Sequence, residues 1–134
     1  MPVELRKGAI DLGIAARNGD AMLHFYRDVL GFEESAVHPA PRGGRVHMLA
    51  CGDSMLKLAI LPEAPAGSPP GGELFDASGY RYFTMSIGNL DEVFDACRRD
   101  GREILMQPKL YPGGNRIGIV RDPDGNPVEF VERR

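Results

Sequence analysis

The stretch Arg121-Asp122-Pro123-Asp124-Gly125-Asn126-Pro127-Val128-Glu129-Phe130-Val131 decides the fold. Its first half is turn chemistry. Pro123 presets φ, Asp124 and Asn126 are suited to bonding their own backbone, and Gly125 accepts positive φ. Ile117-Gly118-Ile119-Val120 lies on one side and Val128-Glu129-Phe130-Val131 on the other, two short apolar runs that read as a β-hairpin. Glu129 interrupts the second run. Side chains alternate along a strand, so Glu129 points away from the face that Val128 and Phe130 share. With Val128 and Phe130 turned to a helix, Glu129 occupies the other face, which is either solvent or a pocket.

Outward from the hairpin, the chain repeats itself. Tyr80 to Ile87 alternates as a strand, Asn89-Leu90-Asp91 opens a helix with Leu90, Val93, Phe94 and Cys97 on one stripe, and Gly101 closes it. Arg102 to Met106 reads as a strand, followed by a loop over 108–114. About 71 residues earlier the same order runs: a weak strand over 9–16, N-cap candidates in Arg17-Asn18-Gly19-Asp20, and a helix through Met22, Phe25, Tyr26, Val29 and Leu30. Gly31, a strand over 32–38 and the hairpin 45–50/54–61 complete it. Asn18 corresponds to Asn89, Asp20 to Asp91, Arg27 to Arg98, and Leu56-Lys57-Leu58 to Val128-Glu129-Phe130. Such a unit cannot bury its sheet alone, so two must pair. The expected organisation is one domain over 1–134, with modules at 9–61 and 80–132. The linker, 62–79, carries four prolines and four glycines and admits only a short turn near Leu74-Phe75-Asp76.

Composition bounds the function. With 134 residues, 43% hydrophobic and 26% charged, the chain is long enough for one real core. The net charge is −3 with scattered basic residues, which argues against a nucleic-acid partner. No apolar run approaches a membrane span, and residues 1–20 hold no signal-peptide core, so a cytoplasmic location is expected. Two cysteines without a CxxC motif read as reduced thiols.

Phe25-Tyr26-Arg27-Asp28-Val29-Leu30-Gly31-Phe32 and Arg121-Asp122-Pro123-Asp124-Gly125-Asn126-Pro127-Val128-Glu129 resemble the two signatures of the vicinal oxygen chelate superfamily. That superfamily includes glyoxalase I, bleomycin-resistance proteins and extradiol dioxygenases. The resemblance implies an α+β fold, with two tandem βαβββ modules forming a cup-shaped mixed sheet, glyoxalase-like, in a homodimer. In metal-dependent members four strands each give one ligand. Those positions fall on Asp11, Lys57, Tyr82 and Glu129. Lys57 has no free lone pair at neutral pH, and Tyr82 would have to ionise. The expectation is therefore no metal cofactor. The remaining route to a divalent ion is a shifted set of Asp11, Glu129 and His47.

The resemblance implies a small-molecule ligand in the cup. One reading is a metal-poor lyase or isomerase with an enolate-like intermediate, Glu129 as base and Lys57 stabilising the oxyanion. The alternative is a drug- or metabolite-sequestering protein. By the duplication, Lys57 and Glu129 are expected at equivalent positions of equivalent strands. Asp11, Tyr82, His47, Tyr111 and Arg116 are the expected substrate-binding residues, the last two from the loop that covers the ligand in glyoxalase-like proteins.

Overall fold

The computed structural model describes residues 2–133. The chain divides into two units, Met1–Ala66 and Gly67–Arg134, each holding one βαβββ module. In the first, β1 (Leu12–Ala15) leads into α1 (Gly19–Leu23), and then come β2 (Glu33–Pro39), β3 (Arg45–Cys51) and β4 (Ser54–Ile60). The sheet order is β1-β4-β3-β2, with β1 parallel to β4. In the second, β5 (Phe83–Ser86) leads into α2 (Leu90–Arg99), followed by β6 (Ile104–Leu110), β7 (Arg116–Arg121) and β8 (Pro127–Glu132). Its order is β5-β8-β7-β6, with β5 parallel to β8. Even the closing hydrogen bonds correspond: Ala16 N donates to Ala59 O, and Ile87 N to Val131 O, both at 2.9 Å. The fold is α+β, built from two tandem modules on two four-stranded mixed sheets. Among the described residues no helix is long and apolar enough to cross a membrane.

Each core lies between one face of its sheet and its helix. In the second unit Leu90, Phe94 and Cys97 recur at helical spacing and are fully buried against Val120, Val128 and Phe130. Burying one such large apolar side chain is worth roughly 1.5–3 kcal/mol. Gly118 makes the close packing possible, since a Cβ there would stand 2.3 Å from Phe94 Cζ. Asp91 and Glu92 in the first turn of α2, and Arg98 and Arg99 in its last, match the helix dipole. The start of α2 is not capped by Asn89, as its position suggests. Glu132 of β8 instead accepts from Leu90 N at 3.2 Å.

The first helix departs from its pattern more sharply. Only Gly19–Leu23 is α-helical, with Asn18 Oδ1 accepting from Ala21 N, and His24–Val29 continues as a π-helix. Leu30 N reaches back to Phe25 O, and Phe32 N to Tyr26 O. The widened turn leaves the adjacent rings of Phe25 and Tyr26 both fully buried, edge to face at 4.9 Å. Gly31 then closes it at φ +82.

Strand boundaries also move, and β5 begins at Phe83 rather than Tyr80. β1 begins at Leu12, because Ala9 and Ile10 find no partner in β4. β6 continues through Pro108 to Leu110, where the sequence suggests a loop. It is an edge strand with register shifts on either side of Met106, so the missing amide of Pro108 interrupts no ladder.

The linker carries no helix or strand. A turn at 73–76 is tied reciprocally, Asp76 N to Glu73 O and Glu73 N to Asp76 Oδ2.

Candidate functional site

Strand pairing sets the chemistry of each sheet's far face, the one turned away from its helix. Across the first sheet one row reads Gly13, Lys57, Met48, Ala36. Across the second the equivalent row reads Thr84, Glu129, Ile119, Met106. Lys57 and Glu129 thus hold the same place in the two repeats, each on an interior strand between β-branched or apolar neighbours that face the helix.

Lys57 is exposed and, among the described residues, makes no hydrogen bond or ion pair. Its surroundings on that face are small or soft: Gly13, Ala15 and Ala59, with Met48 and Met55. A methyl built at Gly13 would meet nothing within 4 Å, so there is room beside the ammonium. Because β4 is interior, Lys57 does not serve as an edge-strand gatekeeper. Asp11 lies just before β1 with its Oδ1 already engaged, by Lys7 Nζ at 2.7 Å and Met55 N at 2.9 Å. The Lys7 hydrogen bond, then the Met55 amide, hold its carboxyl below the usual carboxylate range, and the charge of Lys57 adds to this.

Glu129 is half-buried between Ile119 and Val131, each 5% exposed. The Thr84 hydroxyl donates to Glu129 Oε1 at 2.6 Å. Tyr82 immediately precedes β5, two residues from Thr84, and stands edge to face with Phe75 at 6.3 Å. Tyr111 is on the same side of the sheet: its hydroxyl reaches Met106 Sδ at 3.5 Å, and Lys109 Nζ sits 5.5 Å above its ring.

Two expected ligand-binding residues are elsewhere. His47 pairs with Leu58, one position off the Lys57–Met48 row, and so falls on the helix side. There it meets Glu34 at 3.3 Å, which also receives Arg27. Arg116 pairs with Glu132 and likewise faces the helix, bound to Asp91 at 2.7 Å and Glu132 at 3.6 Å. Strand alternation turns both side chains to the helix side.

The turn over residues 122–126 is also organised differently. Asp122, 2% exposed, is its hub: Oδ1 accepts from Asp124 N and Asn126 N, and Oδ2 from Asn126 Nδ2. Arg121 braces it, donating to Gly125 O at 2.9 Å, to Gly72 O, and pairing with Glu103 at 3.2 Å.

A divalent ion does not fit this donor set. Lys57 offers charge of the wrong sign and no lone pair, and Asp11 is committed to Lys7. The shifted set fails because His47 faces away from Asp11. Among the described residues no three His, Cys, Asp or Glu side chains gather as a metal site.

Thr84, Gly13 and Asp122 escaped the sequence reading. Thr84 and Gly13 are partners only through parallel register, which no local pattern displays. Asp122 was visible within the turn motif, but its near-complete burial was not.

Comparison with known proteins agrees with this architecture. The family model of the Glyoxalase/Bleomycin resistance protein/Dioxygenase superfamily matches residues 10–130. A putative lactoylglutathione lyase of Brassica oleracea var. gemmifera is 30% identical over 57 residues, 42% of this chain and 20% of that protein, so the chain spans about a fifth of that relative. A lactoylglutathione lyase from Agrobacterium tumefaciens has a solved structure with 25% identity, 96% coverage of each chain and a TM-score of 0.63. TnmS3, an antibiotic binding protein from Streptomyces sp. CB03234, matches at 18% identity with a TM-score of 0.69, covering 98% of this chain and 100% of its own, and so shares the fold. With the family model spanning both repeats and both signature turns, the chain belongs to the Glyoxalase/Bleomycin resistance protein/Dioxygenase superfamily.

Proposed function

We propose that this chain binds a small organic molecule at the far face of its first sheet without a divalent ion, as a sequestering protein. One observation carries the reading. Lys57, at a position where the family resemblance implies a metal ligand, is unpaired on a floor of glycine, alanine and methionine with open space beside Gly13. An ammonium so placed binds an anionic or carbonyl oxygen of a ligand and excludes a cation. The homodimer implied by the family resemblance belongs to the same reading.

A second reading, a metal-poor lyase or isomerase, draws its support from Thr84. Its hydroxyl orients one oxygen of Glu129 and leaves the other for a substrate proton. The lactoylglutathione lyases among the relatives give that reading its reaction class.

The test is a ligand screen by thermal shift in the presence of a chelator, followed by calorimetry on Lys57→Met and Glu129→Gln. Chelator-insensitive binding of an oxyanion or carbonyl ligand, weakened about tenfold or more by Lys57→Met with no product formed, is the expected result. Turnover abolished by Glu129→Gln with binding retained establishes the enzyme reading instead. Equal affinity of wild type and Lys57→Met for every hit refutes the site.

A further inference from the structure

We propose that His38 is the second polar anchor of the first sheet's far face, which makes the ligand a flat, elongated aryl acid carrying an oxygen at each end. Its carboxylate meets Lys57 and its distal oxygen meets the His38 imidazole. The inference rests on the small-molecule reading above and adds the length and shape of the ligand.

Strand register puts the two residues on one face. Lys57, Met48 and Ala36 form one row across β4, β3 and β2. The next row reads Ala15, Ala59, Val46, His38. Ala36 and His38 are two residues apart within β2, as are Lys57 and Ala59 within β4, so alternation turns all four side chains to the same side. His38 is exposed and, among the described residues, makes no hydrogen bond or ion pair. β2 is an edge strand, where a polar residue commonly discourages pairing with another chain. Pro39 and the register shift between Glu34 and Ala36 already blunt that edge, so His38 is not needed for it.

Glu33 gives the ligand its direction. It pairs with Ala50, and Ala50 with Met55, so it stands on the far face at the opposite end of β2 from His38. Lys57 lies between the two ends. A distal oxygen directed at Glu33 meets another acceptor, whereas one directed at His38 meets an imidazole that donates or accepts. Asp11, the carboxylate nearest Met55, is already held by Lys7 Nζ and the Met55 amide.

Spacing sets the size. β2 and β4 are two strand spacings apart, roughly 9.5 Å, and the rows are two residues apart, roughly 7 Å, so the two Cα atoms are on the order of 12 Å from each other. Ala59, Val46 and Met48 lie between the anchors and offer no charge and no side-chain donor. Gly13, Ala15 and Ala36 raise at most a methyl above the sheet, so the floor is shallow. A flat aryl group covers such a floor, and the Met48 thioether adapts to a ring edge. A flexible chain of equal length loses rotational freedom on binding that a rigid conjugated acid has already given up.

The experiment measures para-hydroxycinnamate, cinnamate and the saturated cyclohexanepropionate by calorimetry at neutral pH on wild type, Lys57→Met and His38→Ala. Para-hydroxycinnamate should bind wild type about 3- to 10-fold more tightly than cinnamate, and His38→Ala should erase that gain while cinnamate binding holds. Lys57→Met should weaken both about tenfold or more. Cyclohexanepropionate should bind wild type about 3- to 10-fold more weakly than cinnamate. Equal affinities of the two cinnamates in wild type, a hydroxyl gain that survives His38→Ala, or equal binding of the planar and saturated acids overturns the inference. So does failure of both cinnamates to bind at millimolar concentration. If cinnamate still depends on Lys57 while the hydroxyl adds nothing, this inference alone fails and the function stands.

Discussion

Replacing Asp122 with alanine isolates the device that places β8, and with it Glu129. The Asp122 carboxylate, 2% exposed, accepts three hydrogen bonds: Asp124 N at 3.0 Å, Asn126 N at 2.9 Å and Asn126 Nδ2 at 2.9 Å. Hydrogen bonds to a charged acceptor contribute about 1.5–3 kcal/mol each. Three of them would set an upper bound of roughly 4.5–9 kcal/mol. Asp124 and Asn126 are only half-buried, so water reaches part of what is lost. The backbone pair Asp122 N to Asn126 O, with Gly125 N to Asp122 O, also persists. The expected destabilisation is therefore about 2–4 kcal/mol, or roughly 8–16 °C in Tm for a chain of this size. Asp122→Asn keeps the oxygen that serves both backbone amides and should lose about half as much. Urea unfolding followed by circular dichroism reads both variants. A loss in Asp122→Ala of less than about 0.5 kcal/mol, within the range of an ordinary surface change, refutes the hub.

Gly118→Ala should destabilise the second unit by about 1–3 kcal/mol in urea melts, because the new methyl meets the buried Phe94 ring; adding Phe94→Leu should recover part of it, and strict additivity of the two changes refutes the contact. Cys97 should resist alkylation in the folded protein at about pH 8: burial pushes its thiol up to about 11, leaving roughly one thiolate in a thousand. Cys51, only half-buried, should label first, and mass spectrometry showing the two labelled at equal rates in native protein refutes the environment assigned to Cys97.

The sequence by itself determined the repeat, the hairpins and the helix stripes. Those are local patterns: alternation around Glu129, the turn before it, Gly31 and Gly101 at positive φ, and Leu90, Phe94 and Cys97 at helical spacing. It also placed Lys57 and Glu129 at equivalent positions, since the match of Leu56-Lys57-Leu58 to Val128-Glu129-Phe130 survives in the two cross-sheet rows. Only the tertiary structure decided which neighbours share a face. His47 and Arg116 are close in sequence to far-face residues, but one step along a strand reverses a side chain, and Glu34 and Asp91 claim them on the helix side. Thr84 joins Glu129 across 45 residues only because β5 runs parallel to β8 in that register. The π-helical turn over His24–Val29 was hidden for the same reason. Its spacing reads as an ordinary helix until two adjacent rings, Phe25 and Tyr26, must both be buried, and packing then overrules periodicity.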